Sequence, residues 1–403
     1  MPSLWAFFLL LLPVAAVSGW LARGRADKRA GLGRSDDASA VNADYLRGIS
    51  QLVNDDADRA IATFSRLLEV DNDTVETHLA LGNLFRRQGD IDRALRLHQN
   101  LVARPNLALE HRNQARFELA QDYLRAGVLD RAEDLFRELV DQAPFETRSL
   151  TGLITIHEKV RDWDSAITDT RRLEKVRHTS LRPILAQYYC ELAEQALQGG
   201  EPRQVQSQLK SARQAFVDCA RISLIAGTLA AKNDDPRGAI RAYRRVAQQD
   251  SAFVYEIIEP VRRCFESLGD ASGYAEFLLD VMAVYQGAQP HVAYARLLSR
   301  QDRADEGIAH LSRYLQEEPS WIGFYHMLDL AASDHQSGLT GPLDSLRLSL
   351  GEIIEREPLY HCGQCGFSGG YLHWQCPSCR QWNTMAPVRD VRPGTQPFAR
   401  RSA

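Results

Sequence analysis

The sequence predicts an all-α chain: a superhelical solenoid of short helix pairs, preceded by one transmembrane helix and closed by a small metal-tied knot. Three observations carry this. An uncharged apolar run opens the chain at residues 4–22, a pattern of small residues recurs through the middle, and four of the seven cysteines fall between 362 and 379. A hydrophobic share of 44% with 25% charged residues is that of a folded chain, so the long middle is read as structure and not as linker. The net charge of −4 gives no global pull toward nucleic acid, and none is expected as a partner.

The first element is the stretch "LWAFFLLLLPVAAVSGWLA" at 4–22. At ~1.5 Å per residue such a helix spans ~28 Å, close to the hydrocarbon thickness of a bilayer. Pro13 is tolerated in a spanning helix, and Trp5 and Trp20 stand near its two ends, where amphipathic rings favour the interface. A cleaved signal peptide would want positive charge ahead of the apolar run. "MPS" has none, and Arg23, Arg25, Lys28, Arg29 and Arg34 follow the run instead. The positive-inside rule then places the carboxyl side in the cytoplasm. We expect an uncleaved anchor over 1–22 and a basic juxtamembrane linker over 23–43, whose cations can touch anionic head groups at about 1 kcal/mol each. Cys190, Cys219 and Cys264, scattered singly through helical stretches, read as small core residues in a reducing compartment.

The middle, 44–357, repeats itself. Aligning "LALGNLFRRQGDIDRALRLHQNLVARP" (79–105) with "FELAQDYLRAGVLDRAEDLFRELVDQAP" (117–144) on Gly89 and Gly127 matches Leu81 with Leu119, Gly82 with Ala120, Phe85 with Tyr123 and Ala94 with Ala132. Small residues at the eighth and twentieth positions with large ones between are the tetratricopeptide pattern. The small residue of the second helix recurs at Ala60, Ala94, Ala132, Ala166, Ala239 and Gly307. Its two long gaps each leave room for a degenerate unit, around 183–217 and 255–287, and a final helix pair is expected at 320–356; eight or nine repeats result. The turn "RQGDIDRA" shows where the helices break: Gly89 permits a positive φ and Asp90 can cap the next helix. Such arrays usually bind polypeptide on their concave face, an inference from architecture alone.

Nothing in this stretch reads as catalytic machinery. There is no glycine-rich phosphate loop, H-E-x-x-H, G-x-S-x-G or dinucleotide fingerprint, and Asp55, Asp56, Asp234 and Asp235 fall in turns as solvated caps. The chain is not expected to be an enzyme, and no catalytic or organic-cofactor residues are assigned.

The last element is "YHCGQCGFSGGYLHWQCPSCRQW", with C-x₂-C-x₁₀-C-x₂-C spacing over Cys362, Cys365, Cys376 and Cys379. A two-residue gap lets both thiolates of a turn reach one metal, and two such knuckles make a closed four-cysteine site. Gly363 and Gly366 suit the tight backbone of the first knuckle, Pro377 stiffens the second, and the link between them is long enough for a hairpin turning on Gly369–Gly370. His361 and His373 lie near enough to be rival ligands, but four cysteines already complete the shell. Zn²⁺ suits four thiolates without a redox role; iron in the same site would carry one electron, and a redox dithiol or unliganded cysteines are the alternatives to a metal site. The metal-binding segment is placed at 358–390 and a disordered tail at 391–403. The aromatic residues Tyr360, Phe367, Tyr371, Trp374 and Trp382 either pack the knot against the last helices of the array, which we favour, or form an exposed partner patch.

With these three parts in this order, the chain resembles the lipopolysaccharide assembly protein B family of Gram-negative bacteria. The specific likeness is a rubredoxin-like knot on an anchored array, with "C-G-F" after the first knuckle and "W-x-C-P-S-C-R" at the second. The resemblance implies a single-pass inner-membrane adaptor facing the cytoplasm. It implies that the chain regulates lipopolysaccharide biosynthesis by presenting the lipid A-committing deacetylase to the membrane-anchored AAA+ protease FtsH. Contacts of the anchor with the protease or a membrane-embedded regulator are implied too, and the family's metal ligands fall on Cys362, Cys365, Cys376 and Cys379. Arg380 stands where a rubredoxin often has Gly. The alternative function is a scaffold that gathers lipopolysaccharide synthesis and export proteins without proteolysis.

Overall fold

The computed structural model describes residues 75–333 and 341–388, with isolated positions between 47 and 63. The expected anchor (1–22), the linker (23–43), the unit around Ala60 and the tail (391–403) lie outside the described residues. Among the described residues no helix is long and apolar enough to cross a membrane.

The described helices are, in chain order, α1 (Val75–Gln88), α2 (Ile91–Val102), α3 (Leu109–Ala126), α4 (Leu129–Leu139), α5 (Glu146–Val160), α6 (Trp163–Arg177), α7 (Arg182–Gln198) and α8 (Pro202–Ala215). They continue as α9 (Ala220–Lys232), α10 (Pro236–Gln249), α11 (Val254–Leu268), α12 (Ala271–Met282), α13 (Ala288–Ser299), α14 (Ala304–Glu317), α15 (Trp321–Ser333) and α16 (Gly341–Arg356). The two stretches whose pattern is degenerate therefore fold as helix pairs, α7–α8 and α11–α12. Two compact units result, one ending at Asp162 and the other beginning at Trp163. The architecture is a mostly helical tetratricopeptide solenoid carrying a small C-terminal ribbon.

The period of small residues has a packing cause. A glycine on one helix takes an aromatic ring from its partner: a Cβ on Gly82 would lie 2.4 Å from the His98 ring, on Gly152 2.6 Å from Phe136, and on Gly227 2.4 Å from Tyr243. The fourth residue of the second helix is the other close contact. It is Ala94, Ala132, Ala166 and Ala239 in four units, all fully buried, but Val205 in α8 and Tyr274 in α12. Those two larger residues, also buried, are why the period skips in the sequence. The turns behave as their residues dictate: Gly89 and Gly127 have φ of 86° and 79°, Asp90 accepts from the Arg93 amide, and Asp235 accepts from the Gly238 amide.

In the first unit a buried charge cluster joins three helices. Arg86 of α1 reaches Glu118 at 2.5 Å and Asp122 at 2.7 Å on α3, and His98 Nδ1 of α2 lies 2.5 Å from the second Asp122 oxygen. In the second unit Val254, Ile257, Val261, Phe277, Leu278 and Val281 recur at helical spacing and belong to one core. Cys264 is a buried free thiol in this core, and Cys190 and Cys219 are buried free thiols in a second one with Val205, Leu209 and Ile222.

Near the C-terminal end of the array, the His291 ring stacks on Tyr314 with centroids 4.0 Å apart, and its Nδ1 lies 3.1 Å from His310 Nε2. Burial, with His310 beside it, pushes His291 down to about 4; burial, with Arg296 beside it, does the same to His326, and burial lowers His310. The folded state then binds fewer protons than the unfolded one between about pH 4 and the ordinary 6.5. This stabilisation is complete above that window and is lost as the pH falls through it. The melting temperature should accordingly drop between pH 7.5 and pH 5, and His291→Gln should shrink the drop.

A second expectation concerns Gly307 of α14, where a Cβ would sit 2.7 Å from the Ala295 carbonyl oxygen of α13. Gly307→Ala must push two backbones apart and should cost about 1–3 kcal/mol, read from the urea midpoint. An unchanged midpoint would show that the helices separate freely.

Candidate metal centre

The chain leaves α16 into a three-stranded antiparallel sheet of order β2-β1-β3: β1 (Tyr360–Cys362), β2 (Ser368–Gly369) and β3 (Met385–Pro387). The knuckle after β1 is itself the turn into β2. Gly369 pairs with Tyr360 inside the sheet, so the expected hairpin on Gly369–Gly370 is not where the chain reverses.

The two knuckles are built alike. In the first, the Gly366 amide donates to the Cys362 carbonyl at 3.0 Å and the Cys362 amide to Phe367 at 2.7 Å. In the second, the Arg380 amide donates to the Cys376 carbonyl at 2.9 Å and the Cys376 amide to Gln381 at 2.9 Å. This geometry needs a left-handed residue after the second cysteine of each pair. Gly366 supplies φ of 76° without strain, whereas Arg380 adopts 61° at a cost of about 1 kcal/mol. Gly363 is not in that region. It stands where its amide can donate to the Thr384 carbonyl at 2.8 Å.

The structure brings the four cysteines together. Their Sγ atoms all lie within 4.8 Å of one another, with Cys362–Cys379 and Cys365–Cys376 each at 3.7 Å. A disulfide needs about 2.05 Å. A tetrahedron with metal–sulfur bonds of about 2.3 Å has edges of about 3.8 Å, so this set fits one four-coordinate ion. Cys362 and Cys376 are buried, Cys379 is partly covered and Cys365 is exposed. His373 is exposed and His361 is outside the cluster.

The sulfurs already compete over charge. Burial works against ionisation of Cys362, but the Thr384 hydroxyl at 3.3 Å and the amides of Cys365 and Gln364 prevail and bring it down to about 6. The Phe367 amide lowers Cys365. At Cys379 the Gln381 amide favours the thiolate, yet burial and the other three sulfurs outweigh it and push the thiol up to about 11. Four thiolates at this spacing cannot coexist without a cation, which is the condition a divalent ion relieves.

The knot does not stand alone: among the described residues its aromatic side chains meet α6, α7, α9 and the start of α11, and not the last helices of the array. Trp382 meets Trp163 of α6 and Tyr188 of α7 edge-on, with centroids 6.0 and 5.6 Å away. Trp374 packs on Phe253, just before α11, at 5.0 Å, and the Arg221 guanidinium of α9 lies 5.4 Å from its ring. Each aromatic pair is worth about 0.5–1.5 kcal/mol beyond the area it buries. Polar contacts set the register: Gln187 donates to Asn383 at 2.5 Å, and the Tyr360 hydroxyl donates to Glu256 at 2.5 Å. Arg221, only 2% exposed, is satisfied by Glu191, Glu194 and Gln187 at 2.8–3.0 Å. Tyr360, Trp374 and Trp382 thus dock, Phe367 packs inside the knot, and Tyr371 is 80% exposed.

The docking partners were invisible in the sequence. Gln187 and Asn383 are 196 residues apart, and a Gln–Glu–Glu–Arg set on two helices reads as an ordinary solvated face. Removing the metal with a chelator should free the knot, expose Trp374 and Trp382 and red-shift tryptophan emission, while the far-ultraviolet helical signal is retained. Emission that ignores the metal would show that the aromatic seam holds the knot unaided.

Known proteins agree with both parts. A family model described as rubredoxin metal binding domain matches residues 360–387, and a tetratricopeptide-repeat model matches 79–147. Lipopolysaccharide assembly protein B of Escherichia coli strain K12 is 34% identical over 383 residues, covering 95% of this chain and 98% of that protein. The protein of the same name from Haemophilus influenzae is 32% identical over 389 residues, covering 94% and 97%. The chain belongs to the lipopolysaccharide assembly protein B family.

Proposed function

We propose that this chain is an inner-membrane adaptor that regulates lipopolysaccharide biosynthesis by promoting FtsH-dependent degradation of the lipid A-committing deacetylase. The observation that supports this most is likeness to lipopolysaccharide assembly protein B along 95% of the chain. In this reading residues 1–22 span the membrane once and the array faces the cytoplasm. Cys362, Cys365, Cys376 and Cys379 hold a structural Zn²⁺. Zinc has no redox chemistry, which suits a closed shell of four thiolates on a knot fixed against helices.

The physical logic is one of local concentration. A protease confined to the membrane meets a soluble substrate inefficiently, and an adaptor anchored in the same plane converts that encounter into a nearly intramolecular one. No bond is made or broken by the adaptor. Its two requirements are an anchor and a rigid surface, and the docked knot supplies part of the second.

The test is the half-life of the deacetylase in cells with the wild-type chain, with none, and with Cys376→Ser and Cys379→Ser together. Fast turnover only with the wild type is expected, and deletion of residues 1–22 should slow it as well. Equal turnover throughout would overturn the adaptor reading in favour of a non-proteolytic scaffold. One zinc per purified, colourless chain is expected; a red protein with visible absorption would mean iron.

A further inference from the structure

The knot covers the helix face around α7, α9 and α11, and beside it the same face is open. A groove of about 820 Å³ runs between α11, α13, α15, the end of α16 and the last strand of the knot. Its floor is made of half-buried apolar side chains, Ile258, Ala293, Leu297, Ile322 and Ile354, and Leu359 stands 43% exposed at its rim. The knot builds this wall: Leu359 is joined to Val388, which also lines the groove, by a backbone hydrogen bond of 2.8 Å. A concave apolar surface of this size is a place for a ligand and not an ordinary scatter of surface hydrophobes.

The rim is charged, and the charge is unbalanced. Five carboxylates, Glu256, Glu259, Glu266, Asp270 and Glu357, line the groove against three guanidiniums, Arg262, Arg296 and Arg300, which leaves a formal charge of −2. The guanidiniums are already engaged. Arg262 is paired with both Glu259 and Glu266, Arg300 contacts Glu266 at 2.6 Å, and Arg296 lies 3.1 Å from His326. The carboxylates are engaged too, Glu259 and Glu266 with these arginines, Glu256 with the Tyr360 hydroxyl and Asp270 with the Gly273 amide, so the preference for a basic ligand rests on the excess of carboxylates, with Glu357 at the rim.

We propose that this groove binds an extended segment of a partner protein carrying apolar side chains flanked by lysine or arginine. The apolar groups fill the floor and the cations meet the rim, an arrangement that gives both affinity and direction. The proposal deepens the adaptor reading, on which it rests only for who the partner is. It also gives the metal a second consequence, since the wall bearing Leu359 and Val388 exists only while the knot is folded.

The experiment uses the full chain in nonionic detergent and two fluorescein-labelled peptides read by anisotropy. One contains three leucines and three lysines spaced by serine and glycine; its twin has glutamate for each lysine. The basic peptide should bind saturably and at least about tenfold more tightly than its twin, and added salt should narrow the difference. Leu359→Arg should weaken it about tenfold, and Glu357→Lys several-fold, with helical content unchanged. Both side chains sit at the rim, so both variants should fold. Equal binding by the twin, or wild-type affinity in both variants, would overturn the proposal. A chain ending at Val388 should bind as the full chain does. If the peptide bound only after removal of 389–403, which includes Phe398, Arg400 and Arg401, the occupant would be the chain's own tail and the partner proposal would fall. Deacetylase turnover does not enter this measurement, so failure here leaves the adaptor reading standing, and failure there leaves the groove.

Discussion

Four sulfurs held within 4.8 Å of one another repel as soon as they ionise, and the C-terminal knot is organised around that problem. The knuckle amides and the Thr384 hydroxyl can settle some of the negative charge, as the depressed Cys362 and Cys365 thiols show. They cannot settle all of it, because Cys379 is pushed the other way by its neighbours. A bound cation would complete the balance. Among the described residues the knot has three short strands and a small core of Tyr360, Cys362, Cys376 and Met385, so a bound metal would supply folding energy that so few buried residues cannot.

What the knot presents is a surface for docking. Tyr360, Trp374, Asn383 and Trp382 leave the knuckles on the side facing α6, α7, α9 and α11, where they meet Glu256, Phe253, Gln187 and the Trp163–Tyr188 pair. The aromatic contacts supply most of the attraction. The buried Arg221 supplies selectivity, since a guanidinium so enclosed is tolerable only with its carboxylates and Gln187 in place. A loosened knot would leave that charge beside an exposed aromatic face. Metal binding, the seam and the adjoining groove wall are therefore one mechanical unit.

The repeat array contributes stiffness through close approach. Gly82, Gly152 and Gly227 each receive an aromatic ring, and Gly307 lets two backbones nearly touch. Such contacts leave little freedom for neighbouring helices to slide. The thiols of Cys190, Cys219 and Cys264 sit within this packing as small apolar groups.

The sequence by itself determined the elements whose causes are local. Gly89, Gly127 and Asp90 end and cap helices through their own backbone and side-chain chemistry, and the C-x₂-C pairs bring sulfurs together through a turn of four residues. Even the degenerate units were legible as gaps, though not their reason, because Val205 and Tyr274 take the small residue's place only where the surrounding helices make room. Tertiary structure alone decided where the knot rests, that Gly369 lies in a strand, and that an apolar groove with an acidic rim remains beside it. Each of these depends on residues that meet only after the array has stacked. Gln187 and Asn383, 196 positions apart, carry no mark of their meeting in either local sequence.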